Sequence, residues 1–264
     1  MITAQRLASA AAIAFLSCSL AASASSRVRG SGNMRSESRR VAEFDEVQVG
    51  AGIHATITEG SRFVEVKADD NVLSRVTTEV KDGVLEVGLE RGLNFWSDVA
   101  IEVSIRTPQL KGAHASGGAE IHVASARPSA SLRLTASGGG VVAMESVQTK
   151  ALEVGASGGG RVLATGFEVD SLRAEGSGGG TIKLSGRAAE AVLEMSGGAT
   201  VKARGLTVGK LHVEGSGGGT ATLKTAQAVR GSLSGGSTLH VGGNPQSRVR
   251  TSGGGEVVYE DDKD

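Results

Sequence analysis

The sequence predicts an all-β fold, a β-solenoid similar to a parallel β-helix, in which coils of about 20 residues stack on one another. Three observations predict it: a recurring tripeptide, apolar residues at alternate positions around it, and few aromatic residues. The tripeptide Ser-Gly-Gly recurs at intervals of 18 to 21 residues. Its eight copies begin at Ser116, Ser137, Ser157, Ser177, Ser196, Ser216, Ser234 and Ser252. Such a period is typical of repeats that bury their apolar faces only by stacking.

Apolar and polar residues alternate on both sides of each Ser-Gly-Gly. In one copy Leu172 and Ala174 flank Arg173, and the same alternation resumes after the glycines. A period of two indicates strands with one buried face. Each coil is therefore predicted to contain two short strands joined at a glycine corner. A second corner, in segments such as 124–130 and 203–208, could carry a third short strand.

The Ser-Gly-Gly corners are expected to serve the fold. A sharp bend often needs a positive φ, which glycine adopts without steric cost. Close stacking of one corner on the next also leaves little room for a Cβ atom. Serines in register, about 4.8 Å apart from coil to coil, are predicted to hydrogen-bond along the stack and to the corner amides.

The composition agrees with a narrow solenoid core and excludes other classes of protein. Glycine supplies 40 of the 264 residues, and aromatic residues only 3%. Glycine without a strict period of three is not collagen, and the apolar alternation excludes a disordered Gly/Ser linker. The formal net charge is zero, so nothing in the charge balance indicates nucleic acid as a partner.

The N-terminus, residues 1–24, has the features of a secretory signal peptide. Arg6 precedes an apolar stretch, residues 7–20, which is too short to span a bilayer, and Ala22–Ala24 fits a cleavage site. Lipidation at Cys18, in a partial lipobox, is the alternative. The chain is therefore expected to be exported to the periplasm or cell surface. Cleavage after Ala24 would remove the single cysteine, leaving burial and backbone ladders to hold the fold.

Composition divides the rest of the chain into three parts. Residues 25–43 are polar and basic and are predicted to be a linker or N-terminal arm. Residues 44–258 are predicted to form one solenoid domain, with opening coils and a cap in 44–110 and the regular repeats in 111–258. Residues 259–264 are a charged tail, expected to discourage edge pairing of the last coil.

The cap region is β-rich but less regular than the repeats. Segment 69–80 could be a short helix or a loop, with Asp69 or Asp70 as its N-cap. Segment 81–83, Lys-Asp-Gly, is a predicted hairpin turn. The strands predicted here are Glu46–Val49, Ile53–Thr58, Phe63–Ala68, Val84–Leu89 and Val99–Ile105.

From about Phe44 to Val258 the chain resembles the head GIN domain family, described as "putative auto-transporter adhesin". The motifs that carry the resemblance are residues 44–47, 50–57, 63–68, 84–87, 99–103 and 108–110, followed by Ser-Gly-Gly-Ala at Ser116 and its successors. The resemblance implies an exported bacterial β-solenoid without a known enzyme activity or an established site. The chain departs from a true autotransporter, because it holds no segment long enough for a C-terminal membrane barrel.

The sequence contains no enzyme or cofactor motif in the structural setting that the motif requires. Gly155–Gly159 fits G-x-S-x-G, but a nucleophile elbow needs a strand–turn–helix setting, and Ser157 is one of eight equivalent serines. No phosphate-binding loop or zinc pattern occurs, and the residues after the glycines do not fit a calcium-binding nonapeptide repeat. The sequence therefore predicts no enzyme activity and no cofactor.

A ladder of glutamates is a weak candidate for a metal site. Glu175, Glu194 and Glu214 each lie two residues before the serine of consecutive copies. In register they would stack about 5 Å apart, and carboxylate oxygens suit calcium. The alternative is a solvated face whose charge is balanced by Arg173 and His212.

An aromatic pair is the other candidate for a ligand site. Phe95 and Trp96 lie in a predicted loop, residues 91–98, where they could stack on sugar rings. The alternative is that the two rings plug one end of the core.

Three functions are compatible with these features. The leading hypothesis is a non-enzymatic, adhesin-like head that contacts envelope or extracellular polysaccharide or a surface protein. The second is a polysaccharide-active enzyme, which would need clustered Asp, Arg and Lys on one face. The third is an envelope scaffold that assembles end to end. The oligomeric state is left open.

Overall fold

The computed structural model describes residues 26–96, 100–146 and 148–260, and it confirms the β-solenoid. The predicted signal peptide, residues 1–24 with Cys18, lies outside the described residues. Apart from one 3-10 turn, Leu73–Arg75, the regular elements of the described chain are strands. Within these residues no helix has the length and apolarity to cross a membrane.

Nine strands precede the repeats. They are β1 (Ser26–Arg29), β2 (Met34–Arg39), β3 (Glu46–Val49), β4 (His54–Glu59), β5 (Phe63–Asp69), β6 (Val76–Lys81), β7 (Val84–Leu89), β8 (Leu93–Trp96) and β9 (Glu102–Thr107). Twelve follow: β10 (Leu110–Ala115), β11 (Glu120–Val123), β12 (Pro128–Ala136), β13 (Val141–Glu145), β14 (Ala151–Ala156), β15 (Arg161–Gly176), β16 (Thr181–Met195), β17 (Thr200–Gly215), β18 (Thr220–Leu233), β19 (Thr238–Gly242), β20 (Gln246–Thr251) and β21 (Glu256–Glu260).

Parallel pairing in register stacks the repeats as the period predicts. In one ladder Leu152 pairs with Leu172, and Leu172 with Ala191. The other ladder, on the far side of the Ser-Gly-Gly corners, pairs Val162 with Ile182 in the same way. These inward-facing residues are at most 2% exposed and belong to one continuous apolar core. Stacked coils thus bury what a single coil leaves exposed.

Each regular coil has three sides, as strand β15 shows. Inward residues alternate along it, but two outward residues follow each other at 165–166 and again at 170–171. Each double step turns the chain, which divides β15 into a first side (161–165), a second side (167–170) and a third side (171–176). The same names apply to the register partners in the other coils. The third short strand predicted at the second corner therefore corresponds to the second side, and it is part of one unbroken strand, β15, rather than a separate strand.

The Ser-Gly-Gly corners are tight turns, as predicted. At Ser157 the two glycines have φ of 53° and 86°, and the amide of Gly160 donates to the Ser157 carbonyl at 2.8 Å. Only glycine takes such φ values in succession at little cost. The third glycine has a different role: a Cβ on Gly160 would lie 2.3 Å from the Ala136 carbonyl oxygen. It is therefore required by the close approach of the coil below.

The cap departs from the simple chain order of coils. The coil of β3 and β4 lies between two later coils. Strands β7 and β9 pair with one edge of it, toward the N-terminal end of the stack, and β10 and β11 pair with its other edge. Strand β5 then pairs antiparallel with β9, and β6 with β7. Antiparallel strands thus cover the N-terminal edge of the parallel stack, which otherwise would offer a template for further pairing.

The segment expected to be a linker or arm, residues 25–43, instead supplies strands. Strand β2 pairs antiparallel with β5, and β1 pairs in parallel with β8 in a separate two-stranded sheet. Strand β2 is exposed or half-buried along its whole length, so it lacks the apolar alternation that marks a strand in sequence. The prediction of a linker was wrong because this segment pairs as strands, and the missing alternation explains why the sequence did not indicate them.

Segment 69–80, predicted to be a short helix or a loop, is neither along its whole length. It holds the 3-10 turn and then β6, and the residue before the turn is Val72, without a side-chain cap. The expected Asp69 or Asp70 N-cap is wrong: Asp69 accepts a hydrogen bond from the Gly32 amide at 2.9 Å, and Asp70 one from the Ser31 hydroxyl. These acids hold the β1–β2 loop instead.

Two further predictions concern the chain's turns and its end. The Lys81–Gly83 hairpin is confirmed, since Asp82 and Gly83 have φ of 51° and 81° between β6 and β7. The tail expected at 259–264 is wrong for its first two residues, because Tyr259 and Glu260 belong to β21. Residues 261–264 lie outside the described residues.

Candidate binding groove

A long open groove runs across six coils where the third side meets the Ser-Gly-Gly corners. Its volume is about 610 Å³. One wall is the serine column, formed by Ser137, Ser157, Ser177, Ser196, Ser216 and Ser234; the other is formed by Thr135, Gly155, Glu175, Glu194, Glu214 and Ser232. Five steps between coils give the groove a length of about 24 Å. This shape suits an extended ligand rather than a compact one.

The strand geometry explains why these two columns face the same way. Residues two apart on a strand point to the same face, and register pairing repeats that face in every coil. Glu175 and Ser177 therefore share a face, with Gly176 between them directed inward and buried. The groove is thus a direct product of the repeat.

The serine hydroxyls do not link the coils as predicted. The backbone makes those bonds: the Ser157 amide donates to the Ala136 carbonyl at 3.0 Å, and the Ser177 amide to Ala156 at 2.9 Å. Among the eight corner serines, only the Ser234 hydroxyl has a protein acceptor, the Gly215 carbonyl at 3.3 Å. The role predicted for the other seven hydroxyls was wrong: in their coils the serine amide alone donates to the carbonyl of the neighbouring coil. Those of the seven that line the groove are available to a ligand.

The predicted register of the glutamate ladder is confirmed. Glu175 pairs with Glu194, and Glu194 with Glu214. Arg173, on the same side, contacts Glu175 and lies 2.8 Å from a Glu194 oxygen. His212 contacts Glu214 at 3.1 Å. The hydrogen bond to Glu175 is the main reason why the pKa of Arg173 is raised, so this guanidinium stays charged between the two acids.

These contacts affect whether the three glutamates can bind a cation. Stacked like charges repel, but the Arg173 guanidinium lies between Glu175 and Glu194, and the His212 ring contacts Glu214. Within residues 26–96, 100–146 and 148–260, no group of three His, Cys, Asp or Glu side chains is arranged to hold a metal ion. The calcium site at Glu175, Glu194 and Glu214 stays a prediction that no contact here tests.

Removing the bridging cation is expected to give the ladder a weak affinity for calcium. Arg173→Gln leaves Glu175 and Glu194 stacked without a shared counter-charge, so a divalent cation can replace it, with a Kd of about 10⁻³ M. Calorimetry should show calcium heat for the variant and little for the parent. Adding Glu194→Gln should abolish that heat; equal heats from parent and variant would show that Arg173 does not control the site.

The aromatic pair lies elsewhere in the fold. The backbone of Phe95 and Trp96 belongs to β8, which pairs with β1, so part of the predicted loop 91–98 is a strand. Their side chains and residues 97–99 lie outside what the structure describes. Both the sugar contact and the plugging of the core stay predictions.

Ser157 has no surroundings of a nucleophile elbow. It opens a turn between two strands, like every other corner serine, and Gly160 continues into β15 rather than into a helix. Sequence reasoning treated these serines as structural and so missed them as lining residues. Their two-residue offset from the glutamates was the signal that could have found the groove.

The comparisons with known proteins agree with the fold. The model of the family described as "Putative auto-transporter adhesin, head GIN domain" matches residues 43–245. No curated protein shows significant similarity to the sequence.

Three solved structures share the fold over most of the chain. A "putative adhesin" from Parabacteroides merdae is 21% identical, with 89% of this chain and 99% of that chain covered and a TM-score of 0.75. A "putative adhesin" from Parabacteroides distasonis is 25% identical, with 89% and 100% covered and a TM-score of 0.75. A "putative lipid binding protein" from Parabacteroides distasonis is 18% identical, with 89% and 100% covered and a TM-score of 0.70. Because the family model spans more than half of the sequence, this chain belongs to the head GIN domain family of adhesin-like β-solenoids.

Proposed function

We propose that the protein is an exported, non-enzymatic head domain that binds an extended polysaccharide of the cell envelope or surface in the groove. The observation that carries the proposal is the groove itself, with a column of serine hydroxyls that mostly lack protein partners. The adhesin-like names of the family and its structural neighbours support a role in surface contact. The features of a signal peptide in residues 1–24 support export.

The chemistry of the two walls fits a chain of sugars. Hydroxyls donate and accept hydrogen bonds, and carboxylates accept them. The groove presents a hydroxyl on one wall in each of six coils, and a carboxylate opposite it in three of them. A polymer lying across the coils would therefore meet the same donors and acceptors at a regular spacing of about 4.8 Å.

The enzyme and scaffold alternatives have less support. Catalysis on a polysaccharide would need a carboxyl group free to transfer a proton, whereas each glutamate of the groove is engaged by Arg173 or His212. End-to-end assembly would need two open ends, and antiparallel strands β5 and β6 cover the N-terminal one.

Removing two hydroxyls from the groove should weaken polysaccharide binding. Ser157→Ala combined with Ser177→Ala is expected to reduce affinity by about fivefold or more, since each lost hydrogen bond contributes at least about 0.5 kcal/mol. The backbone bonds between coils remain, so the melting temperature should not fall. Binding of the purified chain to a panel of envelope polysaccharides, by pull-down and calorimetry, measures the effect.

A matched control removes two serines outside the groove. Ser131 and Ser171 are exposed where the chain enters the third side, in β12 and β15. Ser131→Ala with Ser171→Ala should leave binding unchanged. Equal losses in both double variants, or no polysaccharide bound by the parent, would contradict the proposed function.

A further inference from the structure

The C-terminal end of the third side carries three exposed arginines, here called the arginine cluster: Arg230, Arg248 and Arg250. Arg230 and Arg248 are register partners in neighbouring coils. Arg250 lies two residues beyond Arg248 on the same face and pairs with Ser232. All three border a shallow depression of about 490 Å³ just beyond the groove.

The arginine cluster differs from earlier arginines of the same column. Arg133 is 2.9 Å from a Glu153 oxygen, and Arg173 bridges two glutamates. Among the residues that the structure describes, Arg230, Arg248 and Arg250 have no ion-pair or hydrogen-bond partner. Like charges opposite each other on neighbouring strands repel when no carboxylate pairs with them.

Two acids on this side are already engaged by other groups. Glu214 borders the depression, but His212 holds it at 3.1 Å. Glu190 has a lowered pKa, mainly through its hydrogen bond from Lys210 and to a smaller degree through the charge of Arg230. His212 also lines the depression, and its Nδ1 atom is buried without a partner. The depression thus holds cations and an unused polar atom, with one paired carboxylate at its edge.

We propose that the arginine cluster binds sulfate or phosphate ester groups of an acidic polysaccharide. Arginine forks match the oxygens of these groups and bind them bidentately. The identity of the ligand as a polysaccharide rests on the proposed function, because the depression continues the groove along the same side. The arginines would hold the anionic groups while the serine column contacts the sugar hydroxyls.

An anionic membrane is the other partner with this chemistry, and the surface favours it less. Peripheral membrane binding combines basic residues with apolar side chains that enter the bilayer. Among the side chains that the structure describes, which exclude those of Phe95 and Trp96, the one exposed large apolar side chain is Tyr259, in β21 on the first side. The depression itself is bordered by polar residues and by the half-buried Val249.

Dextran sulfate, with neutral dextran beside it, tests the proposal on the purified full chain. Arg230→Gln combined with Arg248→Gln should weaken dextran sulfate binding more than about tenfold. The matched control, Arg161→Gln with Lys183→Gln, removes the same charge from exposed residues of the first side and should cost less than about twofold. Raising the ionic strength to about 1 M should abolish the difference. Unchanged melting curves would establish that both double variants are folded.

Several outcomes would overturn the proposal. Equal losses in the two double variants would show general charge attraction, and no loss in either would exclude the arginine cluster. Binding to phosphatidylglycerol vesicles but not to dextran sulfate would assign the cluster to a membrane. The groove is tested separately: dextran sulfate binding that depends on Arg230 and Arg248 but not on Ser157 and Ser177 would support the cluster while contradicting the proposed groove.

Discussion

Gly180→Ala is expected to destabilise the solenoid by about 3 kcal/mol, the upper part of the range for overpacking a closely packed site. A Cβ at this position would lie 2.2 Å from the Ala156 carbonyl oxygen and 2.5 Å from its carbon. Both atoms are backbone, so no side-chain rotation relieves the clash, and the two coils must separate locally. The smaller entropy of the unfolded chain, worth about 0.4–1 kcal/mol after Gly→Ala, does not offset this cost.

The preceding residue gives a matched control for Gly180→Ala. A Cβ on Gly179 would come no nearer than 3.9 Å to the coil below, and the backbone there is outside the left-handed region. Gly179→Ala should therefore change stability by less than about 1 kcal/mol. Urea denaturation followed by circular dichroism measures both variants. Equal midpoints for the two would refute the close approach at Gly180.

The corner contact also explains an irregularity of the repeat. Two positions of neighbouring coils vary together: the residue before the corner serine of one coil, and the residue after Ser-Gly-Gly in the next coil. Where the first is alanine or larger, the second is glycine, as in Ala156 with Gly180 and Met195 with Gly219. The order is reversed at Gly176 with Ala199, where a Cβ on Gly176 would lie 2.8 Å from the Ala199 Cβ.

The repeats could be predicted because their burial pattern is local. Alternation of apolar residues defines the strands, and the period aligns them, so Leu172 and Ala174 were correctly assigned to the core. The order of the cap coils could not be predicted in this way. A strand such as β3 offers hydrogen bonds at both edges, and alternation does not say whether β7 or β10 takes a given edge.

The same limit applies to the candidate site. The register of Glu175, Glu194 and Glu214 followed from their fixed offset to the serines, and the structure confirms it. The free serine hydroxyls did not follow, because sequence does not say whether a hydroxyl turns toward a carbonyl of the neighbouring coil or toward solvent. At Ser234 the hydroxyl joins the amide on the Gly215 carbonyl, and at the other corners the amide donates alone.

Leu172→Ala is expected to cost about 3 kcal/mol, within the range for removing a large apolar side chain from a packed core. Leu172 is fully buried and lies between Leu152 and Ala191 in the stack. The neighbouring Ala191 is too small to fill the space that the substitution leaves. In a solenoid each coil is stabilised by two interfaces, so the cavity weakens the contacts of β15 with both β14 and β16.

Leu163→Ala, on the same coil, is the control that separates the effect of a buried cavity from the effect of losing a leucine side chain. Leu163 faces outward on the first side and is half-buried, so Leu163→Ala removes the same atoms but leaves no enclosed cavity and should cost about 1 kcal/mol or less. Urea denaturation compares the two variants, and hydrogen exchange should show the faster opening of Leu172→Ala in β14, β15 and β16. A smaller loss for Leu172→Ala than for Leu163→Ala would mean that the apolar column is not what holds the coils together.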